Sequence, residues 1–380
     1  MSKFCYSDNV QIKEGSAKLF IPRQALTDPH HCKVFYNQAM AFNRSLSCLF
    51  ISSALNELKT KKATIFDGYS ATGIRGIRYA IECNVPIKKV VLCEANDDAM
   101  PYLEKNIKLN KLRNATIAHS DVNKFLAKRK FDVIELDPFG SPLPALDSAF
   151  SALNVPGILS LTFTDLANLC GGKRDQVAKC IKEYQAKPMR CIFSHELALR
   201  IALGKVARVA SEHRLSVEPL ACWYEGHYVK LILKVEKGGK QNKNQGFAWL
   251  CRNCLSRGIG VKNKCSACGA KTQISGPLWV EKLGEESVLA GVLEKNKEEK
   301  VRKFVEKLLG ELNAAPLFYN VEEFSSLVGS STPRLANVVA ALNRNGFAAV
   351  ATHFSPTGFK TSASAGQIKK IIAERALRLK

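Results

Sequence analysis

Apolar positions change their rhythm along the chain, and each change marks an element. Residues 10–22 (VQIKEGSAKLFIP) form two short strand-like runs around Glu14-Gly15, which predicts a hairpin. From Lys33 to Leu58 the side chains Phe42, Leu46, Leu49, Phe50 and Leu55 recur at helical spacing, up to a basic break at 59–62. A regular alternation follows. Apolar runs at 63–67, 89–94, 114–118, 131–136 and 157–163 read as buried strands, separated by helical patterns at 73–83, 97–110, 121–129 and 144–154. Strand and helix in turn imply βαβ units and a parallel sheet covered on both faces. Helical patterns near 175–186 and 195–213 then lead to strand runs at 215–224 and 227–236, joined at Glu225-Gly226, so an antiparallel pair finishes the sheet.

Beyond a polar linker at 237–245 the pattern is less regular. Residues 247–280 carry paired cysteines, and 281–312 are helical and laced with charge. The tail, 317–380, reads helix, turn, helix (334–344), then strand-like pieces at 346–353 and 358–362, the order of a winged helix. The expected domains are an N-terminal extension over 1–60 packing on the active site, a catalytic α/β domain over 61–240, a zinc module over 241–280 and an RNA-binding domain over 281–380.

Charge changes the picture. Lys plus Arg number 56 against 34 Asp plus Glu, a net +22, which favours a polyanionic partner and above all nucleic acid. The sequence lacks the ~20 consecutive apolar residues of a membrane span, and 1–10 lack the pattern of a signal peptide. Thirteen cysteines, an odd number scattered through apolar segments, fit reduced thiols in a cytoplasmic chain better than a disulfide framework.

In an open parallel sheet, ligands bind at the carboxyl ends of the strands. The first α/β strand ends in Asp67 and runs through 68–76 (GYSATGIRG), a loop of small residues feeding a helix N-terminus. The next ends in Glu94, where a carboxylate can accept hydrogen bonds from both hydroxyls of a ribose. The third leads to Asp121-Val122, where a side chain and a backbone amide can read an adenine edge. The spacing of Gly68 and Gly73 departs from the G-x-G-x-x-G of dinucleotide sites, and the wider loop suits a nucleoside with an amino-acid tail, S-adenosylmethionine.

The fourth strand ends in 137–142 (DPFGSP). An acid followed by proline and an aromatic suits methylation of an exocyclic base amine, whose lone pair is delocalised into the ring. An acceptor on the N–H, Asp137, holds the nitrogen in line with the methyl group, stabilises the developing positive charge and can take the proton. Pro138 keeps Asp137 extended, and Phe139 offers a face for stacking. The same motif serves guanine N2 in tRNA or ribosomal RNA and adenine N6 in DNA or RNA. A non-catalytic zinc-ribbon and winged-helix binder, or an NAD-dependent dehydrogenase, are the readings from other classes.

The segments at 35–45 (FYNQAMAFNRS), 70–78 (SATGIRGIR), 137–142, 164–171 (TDLANLCG), 195–200 (HELALR) and 227–230 (HYVK) resemble those of the Trm1 family, tRNA guanine-26 N2-methyltransferases that usually add two methyl groups. The resemblance covers most of the chain in matching order. It implies a Rossmann-like class I methyltransferase sheet with an antiparallel last strand. It also implies that Arg44 and Arg75 hold S-adenosylmethionine at or near its carboxylate, that Glu94 takes the ribose and Asp121 with Val122 the adenine, and that Asp67 belongs to the same cofactor-binding set. Asp137 would be the catalytic acceptor, with Phe35 and Phe139 bracketing a guanine that the enzyme flips out of tRNA. Gln38 stands where the family usually has proline, and Ser45 where it has an acid. His195 and Glu196 are adjacent on a helix and point about 100° apart, which favours a structural or positioning role over a dyad. Nothing in the chain calls for an obligate protein partner.

Cys251-x-x-Cys254 and Cys265-x-x-Cys268 are two knuckles with the spacing of a four-thiolate zinc site. Four protein ligands leave no open position, so the expected metal is structural. Gly258 and Gly269 are expected to ease the turns after each pair. Residues 231–275 hold nine Lys or Arg and one Glu, including Lys262, Lys264 and Lys271, which points the module at RNA phosphate.

Overall fold

The protein's computed structural model describes residues 8–238 and 244–378, the last four by backbone alone. The linker expected at 237–245 lies mostly outside the described residues, as does most of the segment 1–10. A hairpin of β1 (Asn9–Glu14) and β2 (Ala17–Pro22) opens the fold, turning at Gly15 with φ +56°. The first long helix, α1 (Ala41–Glu57), starts eight residues later than its apolar periodicity predicts. Asn37 is the cause: it is extended, and its side chain accepts from the Ala39 N–H, which caps the turn there and leaves Phe35 outside the helix.

The alternation expected from the sequence follows: β3 (Ala63–Gly68), α2 (Ile74–Glu82), β4 (Ile87–Glu94), α3 (Met100–Leu109), β5 (Ala115–His119), α4 (Val122–Leu126), β6 (Phe131–Leu136), α5 (Leu146–Ala152) and β7 (Leu153–Phe163). Strand β7 begins four residues before its apolar run. Asn154 is drawn into the sheet by a 2.7 Å hydrogen bond from its Nδ2 to Asp132 on β6, and the strand accommodates Pro156. Next come α6 (Leu166–Leu169), α7 (Arg174–Tyr184), α8 (Ser194–Glu212), β8 (Leu215–Glu225) and β9 (Tyr228–Lys237).

The seven strands form one sheet in the order β5-β4-β3-β6-β7-β9-β8, and the pairs among β3 to β7 are parallel. Only Gly226 and His227 separate β8 from β9, and two residues can join strands only as an antiparallel hairpin. The chain's last strand of this sheet is not its edge: β9 sits between β7 and β8, and residues 228–233 are buried throughout. Strand order reverses between β3 and β6, which places the switch point, and the crevice where such sheets take ligands, at the carboxyl ends of those two strands.

The remaining elements are β10 (Gln245–Leu250), β11 (Arg257–Ile259), β12 (Gln273–Trp279), α9 (Glu286–Lys295), α10 (Glu299–Glu311), β13 (Tyr319–Asn320), α11 (Val321–Val328), α12 (Leu335–Arg344), β14 (Ala349–Ala351), β15 (Gly358–Thr361) and α13 (Ala365–Arg378). The chain divides into two compact units. In the described residues one comprises 8–162, 213–220 and 231–238, and the other 163–212, 221–230 and 244–378. In the second, the antiparallel sheet β11-β10-β12 lies against α8 at Gly204, where a Cβ would come within 3.1 Å of the Trp279 nitrogen. The tail packs β13-β15-β14 with α11, α12 and α13 around Val321, Phe324, Val338, Leu342, Phe359 and Ile368. Among the described residues no helix is long and apolar enough to cross a membrane.

Candidate active site

The loop from β3 to α2 is tightly bent: Tyr69, Ala71 and Gly73 all have φ between +48° and +79°. Two of these are not glycine, so backbone strain is stored at the head of the switch point. Asp67 holds the bend from inside, accepting the Gly76 N–H at 2.9 Å. Gly76 itself is fixed by packing, since a Cβ there would fall 2.2 Å from Leu92 Cδ2 on β4. Burial, aided by the Glu135 charge and opposed by Arg75, pushes the Asp67 carboxyl up to about 7. Asp67 is 1% exposed, so it braces the loop from within.

Glu94 is half-buried at the end of β4. One carboxylate oxygen accepts the Ala71 N–H at 2.8 Å, and the other accepts the amides of Ala95 and Asn96. Asp121 caps α4 by accepting the Lys124 N–H at 3.0 Å, and Val122 is buried. Tyr69, which no motif in the sequence marks, is an exposed ring on this loop. Burial, then Asp121, Cys93 and Glu94, raises its phenol. Its position became legible only once strand order brought the ends of β3, β4 and β5 together.

Asp137 follows the last residue of β6 and forms a short ion pair with Arg75 of α2. Arg75 is spoken for on every side: Nη1 donates to Asn43 Oδ1 (3.0 Å) and Ser47 Oγ (3.2 Å), and Nε lies 3.6 Å from Glu135. Glu135 is fully buried and accepts from Tyr79 at 2.7 Å. Arg44 is likewise engaged, by both oxygens of Glu14 and by the Asn37 carbonyl. Neither guanidinium, both expected at the cofactor carboxylate, faces the crevice unpaired. Glu14 also binds Arg78 at 2.9 Å and accepts from Tyr36, and its pairing with Arg44 and Arg78 outweighs burial and holds its carboxyl low. Ser45, in the family's acid position, accepts from Arg78 at 2.9 Å, and Glu82 supplies Arg78 with a carboxylate instead.

Phe35 and Phe139, expected on either side of a base, touch each other edge to face, with ring centroids 4.6 Å apart. Phe139 is 70% exposed, so a flat ligand can stack on its outer face, or part the two rings. Asn43 Nδ2 and Thr72 Oγ1 are buried with no hydrogen-bond partner among the described residues.

The four cysteine sulfurs lie within 4.8 Å of one another. Zinc–sulfur bonds of ~2.3 Å in a tetrahedron require sulfurs about 3.8 Å apart, so the set fits one ion. Two pairs, Cys251–Cys268 and Cys254–Cys265, already stand at 3.5 Å. Gly269 turns its knuckle with φ +73°, as expected, but in the first knuckle the left-handed residue is Leu255, not Gly258. Gly258 lies in β11, where it makes room for Trp249. Lys262 covers the Trp249 ring at 4.7 Å, and Lys262, Lys264 and Lys271 are exposed.

His195 and Glu196 go separate ways. Glu196 is buried and binds Arg200, Lys360 and the amides of Leu317 and Phe318; those partners outweigh burial and keep its carboxyl low. His195 stacks on Tyr224 at 4.1 Å and shares no partner with Glu196.

A family described as N2,N2-dimethylguanosine tRNA methyltransferase matches residues 15–373. Among curated relatives, a tRNA (guanine(26)-N(2))-dimethyltransferase of Methanosarcina acetivorans is 34% identical over 95% of this chain and 97% of its own. One of Thermococcus kodakarensis is 32% identical over 96% and 98%. The solved complex of Trm1 from Pyrococcus horikoshii with S-adenosyl-L-methionine superposes with a TM-score of 0.82 at 30% identity, over 95% of this chain and 99% of that one.

Proposed function

Because the chain belongs to the N2,N2-dimethylguanosine tRNA methyltransferase family, we propose that it transfers methyl groups from S-adenosylmethionine to N2 of guanine 26 in tRNA, twice. One observation carries the reading: a carboxylate, Asp137, stands at the strand-order reversal, aimed by Arg75 and beside an exposed stacking ring. Bound S-adenosylmethionine supplies an electrophilic methyl group and leaves as a neutral thioether. We assign Glu94 to the ribose and Asp121 with the Val122 amide to the adenine.

Arg75 and Arg44 then act from behind the site: Arg75 fixes Asp137, and Arg44 anchors the segment bearing Phe35 through Glu14 and Asn37. Asp137 accepts one N–H of the amine, which orients the nitrogen lone pair and balances the charge that grows on it as the N–C bond forms. The surplus proton leaves through Asp137 or to water. A singly methylated amine still has one N–H for Asp137 to hold, and a doubly methylated one has none, which limits the reaction at two. Phe35 and Phe139 stack the displaced base. The four thiolates hold a structural zinc, and the lysines around it meet phosphate. We place the enzyme in the cytoplasm, working without an obligate protein partner.

The test is methyl transfer from labelled cofactor to tRNA, and to the same tRNA with guanine 26 replaced by adenine, followed by mass spectrometry of the nucleosides. The expected product is N2,N2-dimethylguanosine, lost on replacement. Label that survives the replacement, or that appears on adenine N6, would refute the assignment.

A further inference from the structure

The second compact unit holds a cavity of about 530 Å³ that the methyl-transfer chemistry does not use. Its walls come from four places in the sequence: the start of α8 (His195), the end of β8 (Tyr224 and Glu225), α10 (Phe304) and the β14–β15 loop (His353, Phe354). Ring faces dominate. His195 lies parallel to Tyr224 (4.1 Å, 9°), Tyr224 nearly parallel to Phe354 (6.3 Å, 13°), and Phe304 edge-on to His353 at 5.9 Å.

Most polar groups in these walls are already committed. His353 Nε2 accepts the Tyr224 N–H at 3.2 Å, so its Nδ1 carries the proton and donates to Glu311 at 2.8 Å. The Tyr224 hydroxyl donates to the Gly226 carbonyl. Two groups keep capacity. His195 has no hydrogen-bond partner among the described residues, and burial lowers its pKa, so the neutral ring offers one donor and one acceptor. Glu225 accepts from Tyr228 with one oxygen at 2.6 Å, while its other oxygen has no hydrogen-bond partner among the described residues. The walls are also held in place from beneath: Glu196, next to His195, sits in the buried Arg200–Lys360 network, and Glu311 ties His353 to Lys360.

We propose that this cavity takes a single unpaired nucleobase of the RNA substrate, other than the base that is methylated. The inference rests on the reading of the chain as a tRNA methyltransferase. Parallel aromatic faces suit a flat heterocycle. The free imidazole nitrogens and carboxylate oxygen match the mixed donor and acceptor edge of a base carrying an N–H. The Glu225 carboxylate in the wall repels phosphate, which favours a displaced base over the backbone. In a chain of net charge +22 the surrounding attraction is for polyanion, and this cavity is where that attraction gives way to base stacking.

The experiment is a binding cycle. Unmodified tRNA and a series of transcripts, each with one unpaired nucleotide other than 26 made abasic, are titrated against wild type, His195→Ala, His195→Phe and Glu225→Gln. Wild type should lose roughly ten-fold in affinity for one abasic transcript, the scale of one base–aromatic stack. His195→Ala should bind full tRNA about ten-fold more weakly and show no further loss with that transcript. His195→Phe, which keeps the ring, should recover most of the affinity, and Glu225→Gln should lose less than His195→Ala. Equal losses for wild type and His195→Ala with every abasic transcript, or full affinity in both His195→Ala and Glu225→Gln, overturn the proposal. Failure of wild type to bind tRNA at all overturns instead the functional reading beneath it.

Discussion

Removing the Asp137 carboxylate separates chemistry from cofactor binding. In Asp137→Ala the amine loses its acceptor, and the charge growing on nitrogen loses its counter-charge. Deleting a single preorganised electrostatic partner costs about 10²–10³ in rate, ~2.7–4 kcal/mol. The Asp137 side chain is 24% exposed, so solvent replaces part of the lost interaction and the lower end, about a hundredfold, is expected. Asp137→Asn keeps an oxygen to hold the N–H and loses only the charge, so it should fall between wild type and Asp137→Ala. The fold bears part of the change as well. Breaking a buried ion pair costs about 3–5 kcal/mol, but Arg75 retains Glu135, Asn43 and Ser47. The expected loss of stability is therefore about 1–2 kcal/mol, below that range. The assay is single-turnover methyl transfer with enzyme in excess over tRNA and cofactor saturating, beside calorimetric titration of S-adenosylmethionine, whose affinity should stay within a few-fold of wild type. A folded Asp137→Ala with a wild-type single-turnover rate refutes the assignment, and a lost cofactor affinity moves Asp137 to the cofactor side.

Glu94→Ala should do the reverse, weakening S-adenosylmethionine by ~1.5–3 kcal/mol in calorimetry; unchanged affinity removes Glu94 from the site. Asp67 predicts a pH dependence of stability. Its folded pKa, about 7, lies above the ordinary 3.8, so the folded state holds the extra proton; stability is full below pH 4 and is lost as pH rises toward 7, at about 1 kcal/mol per pH unit. Asp67→Asn should flatten that slope between pH 4 and 8 in denaturant titrations, and parallel profiles for the two proteins would exclude Asp67 as the cause. Cys251→Ser with Cys254→Ser should release zinc, weaken tRNA binding and flatten its salt dependence, because Lys262, Lys264 and Lys271 lose their fixed placement. Cofactor affinity should hold; equal loss of both would make the ribbon a prop for the catalytic fold.

What the sequence determined by itself was local. Alternating apolar runs located five parallel strands, and the polar residues at or just beyond their ends, Asp67, Glu94, Asp121 and Asp137, were visible because a strand end is a feature of neighbouring residues. The cysteine spacing similarly announced a four-thiol cluster, since each knuckle spans only a few positions. Local pattern misled where a distant partner decided. Asn154 joined β7 through Asp132, and β9 became an inner strand although the chain reaches it last. Only the tertiary structure showed what the arginines do. Arg75 meets Asp137 across 62 residues and Arg44 meets Glu14 across 30, and no periodicity encodes a pairing at that separation. The strained Tyr69, the Phe35–Phe139 contact and the aromatic cavity were hidden for the same reason. Each depends on side chains from separate elements converging, which the packing of the fold decides.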